Sequence, residues 1–105
     1  MEQPNFSYIN SFSGGDKEFE KKIFEVIKAE FPIEKAKYFD NIASNNFELA
    51  SNDVHKMRHK ISLLGLEEGF NLATQHESNL QADNKNLHEK YSEILSVMGR
   101  FLDAL

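Results

Sequence analysis

Residues 47–66 read FELASNDVHKMRHKISLLGL, and the spacing of their apolar residues indicates how the chain folds. Its apolar residues recur at alternating intervals of three and four, at Phe47, Ala50, Val54, Met57, Ile61 and Leu64. Such spacing places a single apolar stripe along one face of an α-helix. Asn46 is suited to cap the start of this helix, and Gly65 is suited to end it. The stretch therefore predicts an amphipathic helix with one buried face.

The rest of the chain continues the helical pattern and carries little strand signal. There is no sustained alternation of apolar and polar residues and no Asn-Gly or Asp-Gly hairpin turn. A short helix is predicted at about residues 5–12, a long one at about 17–44 with Asp16 as its N-cap, and two more at about 66–80 and 87–105. Pro32 interrupts the long segment, which is either two helices or one kinked helix. No glycine or polar turn cluster accompanies Pro32, so we predict one kinked helix.

These elements define the predicted fold class. The chain is expected to be all-α, an antiparallel four-helix bundle with a short extra N-terminal helix. Its 105 residues are enough for one core but too few for two, so residues 1–105 are predicted to form a single domain.

Composition narrows the classes of function. Cysteine is absent, which excludes disulfides and cysteine-based metal sites. The formal net charge of -5 disfavours nucleic acid as a partner, because phosphate backbones select basic surfaces. No apolar run approaches the roughly 20 residues that a membrane span needs, and the N-terminus lacks a basic segment followed by an apolar one. We expect a soluble, cytoplasmic and monomeric protein that binds neither nucleic acid nor membrane.

Histidine and basic side chains are concentrated in the middle of the predicted helix at 47–64. Every charged residue between Asp53 and Glu67 is basic, at Lys56, Arg58 and Lys60. This basic island is either a docking patch for an acidic partner or a solvated helix face. At about 100° per residue, His55 falls on the flank of the apolar stripe, within reach of solvent, and His59 lies one turn further on.

Glu77 is the second unusual position, because it occupies the apolar stripe of the following helix, between Ala73 and Leu80. If the two helices are antiparallel about Gly65, Glu77 comes level with His55. A hydrogen bond from the imidazole N–H to the carboxylate would then fix the tautomer and leave the other nitrogen as a nucleophile. Alternatively, Glu77 reaches water or pairs with a lysine. His76 and His88 are interpreted as surface or boundary residues.

The segment 54–66, VHKMRHKISLLGL, resembles the signature of histidine-containing phosphotransfer domains. That signature is His-x-Leu-Lys-Gly followed, after a fixed gap, by Leu-Gly. His55 matches the phosphorylated histidine, and the other matches are Lys56 to a commonly basic neighbour, Met57 to the leucine, Arg58 to the lysine and Leu64-Gly65 to the final pair. The opening Ser13-Gly14-Gly15-Asp16, Pro32 and the position of Glu77 are also similar to the family, whereas His59 replaces its glycine.

The resemblance implies a phosphoryl carrier without kinase activity of its own. His55 would take a phosphoryl group from the receiver domain of a hybrid histidine kinase and pass it to that of a response regulator. Glu77 would orient the imidazole, and Lys56 and Arg58 would contact the phosphate or the receiver. Partner contacts are expected at Asn52, His59, Ser62 and Leu63. No cofactor or metal is expected in this chain, and Mg²⁺ would be held by the receiver.

Two alternative hypotheses for the function remain. His55 and His59 at i and i+4, with Glu77 as a third ligand, have a spacing that suits a transition metal. Against this alternative, Lys56 stands where the His-Glu-x-x-His motif has its general base, and three basic residues surround the pair. The second alternative is a non-catalytic adaptor bundle in which His55 is an inert surface residue.

Overall fold

The computed structural model describes residues 2–105, which form five α-helices and, within that range, no strand. The helices are α1 (Ser7–Ser13), α2 (Lys17–Ala43), α3 (Phe47–Leu63), α4 (Glu67–Gln81) and α5 (His88–Asp103). The all-α prediction is confirmed. Met1, which belongs to the predicted domain 1–105, lies outside the described residues. None of the helices in residues 2–105 has the length and apolar character needed to cross a bilayer.

The start of α2 and its passage through Pro32 follow the sequence. The Asp16 carboxylate accepts a hydrogen bond from the Phe19 N–H at 3.1 Å, which is the predicted N-cap. Glu18 and Glu20 lie in the first turn, where the positive end of the helix favours acidic side chains. Pro32 lies inside a single 27-residue helix, so the prediction of one helix rather than two is confirmed.

The apolar stripe of α3 forms the centre of the core. Its five members from Ala50 to Leu64 are each no more than 1 % exposed, and Phe47 is half-buried, so this predicted stripe is confirmed. Full burial of a Val, Ile, Leu or Met side chain contributes about 1.5–3 kcal/mol, which makes this face the main attachment of α3 to its neighbours. Asn46 precedes the helix as predicted, but its side chain makes no capping hydrogen bond.

The turn between α3 and α4 requires glycine at position 65. Gly65 has φ +76°, a left-handed conformation that L side chains rarely adopt, and the Leu66 N–H donates across the turn to the Ile61 carbonyl at 3.2 Å. A Cβ at position 65 would lie 2.8 Å from Asn5 Nδ2. The Asn5 N–H donates to the Leu64 carbonyl at 2.9 Å, so the N-terminal segment is attached to this turn.

Contacts between α3 and α4 run in opposite order along the two helices. Ser51, near the start of α3, bonds the Glu77 carbonyl and Gln81 near the end of α4, at 3.4 and 3.2 Å. Ile61, near the end of α3, lies beside Gly69 in the first turns of α4. The pair is therefore antiparallel, and the middle of α3 faces the middle of α4. Helix α3 also packs against α2, α5 packs against α4 and α2, and α1 packs against α2.

Helical spacing in the last segment predicts a buried stripe of Leu87, Tyr91, Ile94, Met98, Phe101 and Leu105. Over part of its length, the buried face of α5 differs from this stripe by one position. Tyr91 and Met98 are buried as expected. Between and after them, Leu95 and Leu102 are buried, whereas Ile94 and Phe101 are half-buried and Leu105 is 51 % exposed. Both sets of residues satisfy helical spacing, so the packing of α5 against α2 and α4 decides which set enters the core.

His76 is a correction to the sequence analysis, because it is fully buried rather than a surface or boundary residue. The Tyr38 hydroxyl lies 2.7 Å from His76 Nε2 and 2.7 Å from His88 Nδ1. It donates its proton to one ring and accepts an N–H from the other, which satisfies the buried hydroxyl. Burial, followed by the nearby His88, lowers the pKa of His76 to about 4. His76 is thus a neutral core residue, and half-buried His88 occupies the boundary as expected.

Candidate functional site

His55 lies on the flank of α3 that faces α4, with 58 % of its side chain exposed. Its Nδ1 is 3.1 Å from Glu77 Oε2, so the contact considered from the sequence is present. A carboxylate accepts only, and Nδ1 is therefore assigned the proton and donates it to Glu77. In this tautomer Nε2 carries the free lone pair of the ring. The exposed imidazole is held in the form in which Nε2 is the nucleophile.

Arg58 contacts the other oxygen of the same carboxylate. Its Nη1 donates to Glu77 Oε1 at 3.1 Å, and its guanidinium lies 4.7 Å from the centre of the Phe70 ring. Arg58 Nη1 is also 3.4 Å from His55 Nδ1, but both nitrogens carry protons and both are directed to the carboxylate. Glu77 is only 15 % exposed and is held from two sides. Arg58 thus holds the Glu77 carboxylate in place, and Glu77 in turn orients His55.

The basic island predicted from the sequence is smaller in the structure. Lys60 is 8 % exposed, and its Nζ lies 2.9 Å from Glu30 Oε1 and 3.0 Å from Glu34 Oε2 on α2. Burial lowers the pKa of Lys60, but hydrogen bonds and charge interactions with the two glutamates outweigh it, and the pKa is raised overall. Within residues 2–105, ion pairs occupy Arg58 and Lys60 and leave Lys56 as the exposed cation of the island.

A shallow cleft of about 390 Å³ surrounds the exposed side of His55. It is lined by Tyr8, His55, Arg58, His59, Ser62, Leu63 and Phe70. Three of the four side chains predicted to contact a partner therefore come together here. Lys56 lies instead on the adjoining groove between α2 and α3, which it shares with His59 and Leu63. Asn52 is exposed but lines neither surface.

Two aromatic residues of the cleft were not recognised from the sequence. Phe70 belongs to the apolar stripe of α4, and its partial burial is consistent with that stripe, but its exposed portion and its contact with the Arg58 guanidinium carry no signal in the sequence. Tyr8 is 52 % exposed on α1. Its place beside His55 depends on the attachment of Asn5 to the α3–α4 turn, a contact between distant residues that periodicity does not reveal.

His59 is exposed and stands one turn beyond His55. The centres of the two rings are 6.3 Å apart, with their planes at 81°. Residues 2–105 contain no group of three or more His, Asp or Glu side chains arranged to hold a metal ion, so the set His55, His59 and Glu77 is not assembled as a three-ligand site. Both oxygens of Glu77 are already bonded, one to His55 and one to Arg58.

The arrangement gives one imidazole the properties of a nucleophile: exposure, a fixed tautomer and an acidic group that balances positive charge on the ring. Comparison of the chain with models of protein families, with curated proteins and with solved structures gave no match. A functional proposal therefore depends on this chain's own residues and their geometry.

Proposed function

We propose that this protein is a histidine phosphotransfer protein of a multistep two-component phosphorelay, which carries a phosphoryl group on His55 between receiver-domain aspartates. The observation that carries the proposal is the hydrogen bond from His55 Nδ1 to Glu77 at 3.1 Å, made by a ring that is 58 % exposed. It leaves a single unprotonated nitrogen, Nε2, on a surface that a partner domain can approach. The resemblance of residues 54–66 to the family signature supports the same assignment.

The chemistry assigned to His55 is an in-line displacement. The Nε2 lone pair attacks the phosphorus of an aspartyl phosphate, an N–P bond forms, and the P–O bond to the aspartyl carboxylate breaks with its electron pair on that oxygen. Because Nδ1 keeps its proton, the phosphorylated ring is cationic. Return to a second receiver reverses the same bond changes. No autonomous kinase step is required, so the protein is a carrier rather than a kinase.

We assign Glu77 and Arg58 separate roles, and the role of Arg58 differs from the one predicted from the sequence. Glu77 accepts the Nδ1 proton and offsets the positive charge that develops on the ring during attack. Arg58 was predicted to contact the phosphate, but its guanidinium is engaged with Glu77 and Phe70. We therefore assign it a positioning role, and leave direct attraction of the anionic phosphate and the acidic receiver pocket to Lys56.

The receiver is expected to dock over the cleft around His55 and to bring its own Mg²⁺. Cleft residues from α1, α3 and α4 offer aromatic and aliphatic surface, with Tyr8, Leu63 and Phe70 on its walls. His59 and Ser62 add polar contacts. We also propose that α2 to α5 form an antiparallel four-helix bundle with α1 as the extra N-terminal helix. The protein is proposed to act as a cytoplasmic monomer.

The test is acceptance of a phosphoryl group from a phosphorylated receiver domain. Wild-type protein should acquire a label that is labile in acid and stable in base, as expected for phosphohistidine. His55→Gln should acquire none while keeping its helical circular dichroism. The matched control is His59→Gln, which removes the other exposed imidazole of the same helix and should still acquire the label, whatever the rate at which it does so. A label in His55→Gln at the wild-type level would contradict the proposal. No label on any histidine would favour the non-catalytic adaptor bundle.

A further inference from the structure

We propose that His55 and His59 also form a binding site for a divalent transition-metal ion, which is held by Nε2 of His55 and a ring nitrogen of His59. This site uses the nitrogen assigned above to phosphoryl transfer. A bound ion and a phosphoryl group on His55 therefore exclude each other. The part of the inference that concerns this competition rests on the proposed function, whereas the metal site itself does not.

The two rings lie close to chelating distance. A histidine nitrogen binds such an ion at about 2.0–2.1 Å, which puts each ring centre about 3.2 Å from the metal and, at a tetrahedral angle, the two centres about 5 Å apart. The observed separation of 6.3 Å thus requires the rings to approach by about 1 Å. His59 is exposed, so rotation about its side-chain bonds brings its ring closer without disturbing the core.

The hydrogen bond between His55 and Glu77 is the second observation that points to a metal. Metal-bound histidines usually donate their other ring N–H to a carboxylate or carbonyl, which fixes the ring and makes the ligating nitrogen more basic. His55 Nδ1 already donates to Glu77 Oε2 at 3.1 Å. The orientation that prepares Nε2 for attack on phosphorus also prepares it as a ligand.

The charged side chains around His55 and His59 permit a bound cation. The sequence surrounds His55 and His59 with three basic residues, but two of these are paired in the structure. Lys60 is bound between Glu30 and Glu34, and Arg58 is bound to Glu77. The paired charges offset one another, and Lys56 remains as the one exposed cation of the island within residues 2–105.

The ligand type selects the ion. Imidazole nitrogen suits Cu²⁺, Ni²⁺ and Zn²⁺, and two protein ligands leave the remaining positions to water. The general order of affinity places Cu²⁺ above both Ni²⁺ and Zn²⁺. Mg²⁺ prefers oxygen ligands, so the Mg²⁺ expected on a receiver domain does not compete for this site.

Calorimetric titration with Zn²⁺ and with Cu²⁺ at pH 7.5 tests the site on the whole protein. Cu²⁺ should bind more tightly than Zn²⁺, and His55→Gln and His59→Gln should each weaken both ions at least about tenfold, since one ligand of a chelate is lost. Lys56→Gln is the matched control on the same helix and should bind at least as tightly as wild type. Wild-type affinity in either histidine variant, or a large loss in Lys56→Gln, would overturn the inference.

Competition is tested by transfer from a phosphorylated receiver with and without Zn²⁺, with each protein compared with itself. At free Zn²⁺ ten times the dissociation constant, wild type should accept phosphate about tenfold more slowly, whereas His59→Gln should respond little. Equal wild-type rates with and without bound Zn²⁺ would contradict the competition and leave the proposed function intact. A protein that binds Zn²⁺ but accepts no phosphoryl group in its absence would contradict the proposed function and leave the metal site intact.

Discussion

Lowering the pH from neutral is expected to destabilise this fold through His76. The ring is fully buried, and burial, together with the nearby His88, lowers its pKa to about 4. In the unfolded chain the pKa of histidine is about 6.5. A lowered pKa means that the folded protein favours the neutral His76 ring more strongly than the unfolded chain does. The stability linked to His76 is therefore fully present above about pH 6.5 and is lost progressively as the pH falls towards 4.

The size of the effect follows from the two pKa values. Between pH 7.5 and pH 5.0 the free energy of unfolding should fall by about 2 kcal/mol on account of His76 alone. His88 adds to the effect in the same direction, because burial, and then Lys85, also lower its pKa. At pH 5.0 most exposed carboxylates remain ionised, so the measurement is made before acid unfolding of other origin begins.

Urea unfolding followed by circular dichroism at both pH values measures the loss. His76→Gln keeps a polar group beside Tyr38 but does not titrate, so its free energy of unfolding should change by about 2 kcal/mol less than that of wild type. His59→Gln, the exposed control, should retain the wild-type pH dependence. The same pH dependence in His76→Gln and wild type would show that protonation of His76 does not cause the loss of stability. If His76→Gln does not fold, NMR titration of the wild-type His76 ring decides, since the ring should remain neutral at pH 5.0.

Four further substitutions, at three positions, test the site. Glu77→Ala should slow phosphoryl acceptance at least about tenfold, because a hydrogen bond to a charged group contributes about 1.5–3 kcal/mol; an unchanged rate of transfer from a receiver would exclude its positioning role. Lys60→Met should lower the free energy of unfolding, measured in urea, by about 1–2 kcal/mol, which is less than for a fully buried pair because Glu30 is 53 % exposed. The same substitution should leave the transfer rate unchanged. Slower transfer would mean that Lys60 contacts the partner. In rapid-quench experiments His59→Gly should accept phosphate faster than wild type, and His59→Phe should accept it more slowly. The glycine variant should also be less stable by under about 1 kcal/mol. Slower phosphate acceptance by His59→Gly would show that His59 assists transfer.

Local features of the fold were predictable because they depend on neighbours along the chain. The stripe of α3 follows from residue spacing alone, the Asp16 cap from its position before an acidic first turn, and the end of α3 from Gly65. Each involves residues within a few turns of one another. The pairing of His55 with Glu77 was accessible for a related reason, since a short turn between two helices fixes which residues come level.

The errors occur where two neighbouring residues fit the same periodicity. On α4, both His76 and Glu77 lie on the inward side, and packing places the histidine in the core and the glutamate on the flank beside α3. On α5, Leu95 is buried and its neighbour Ile94 is half-buried for the same kind of reason. Spacing of three or four does not distinguish adjacent positions, and the choice depends on the helices opposite.

Contacts between distant segments carried no signal in the sequence. Lys60 was interpreted as part of an exposed basic island, either a docking patch or a solvated helix face, yet it binds Glu30 and Glu34 of another helix. Tyr8 reaches the cleft because the segment before α1 is attached to the α3–α4 turn. In both cases the partner lies more than 25 residues away, so the pairing is fixed only when the helices assemble.

Nitrogen-15 NMR of the phosphorylated protein identifies the nitrogen that accepts the phosphoryl group, which we propose is Nε2 of His55. Long-range proton–nitrogen correlations distinguish the two ring nitrogens of each histidine. We predict phosphorus on Nε2 of His55, with Nδ1 protonated and bonded to Glu77. Phosphorus on Nδ1 of His55, or on His59, His76 or His88, would contradict this prediction.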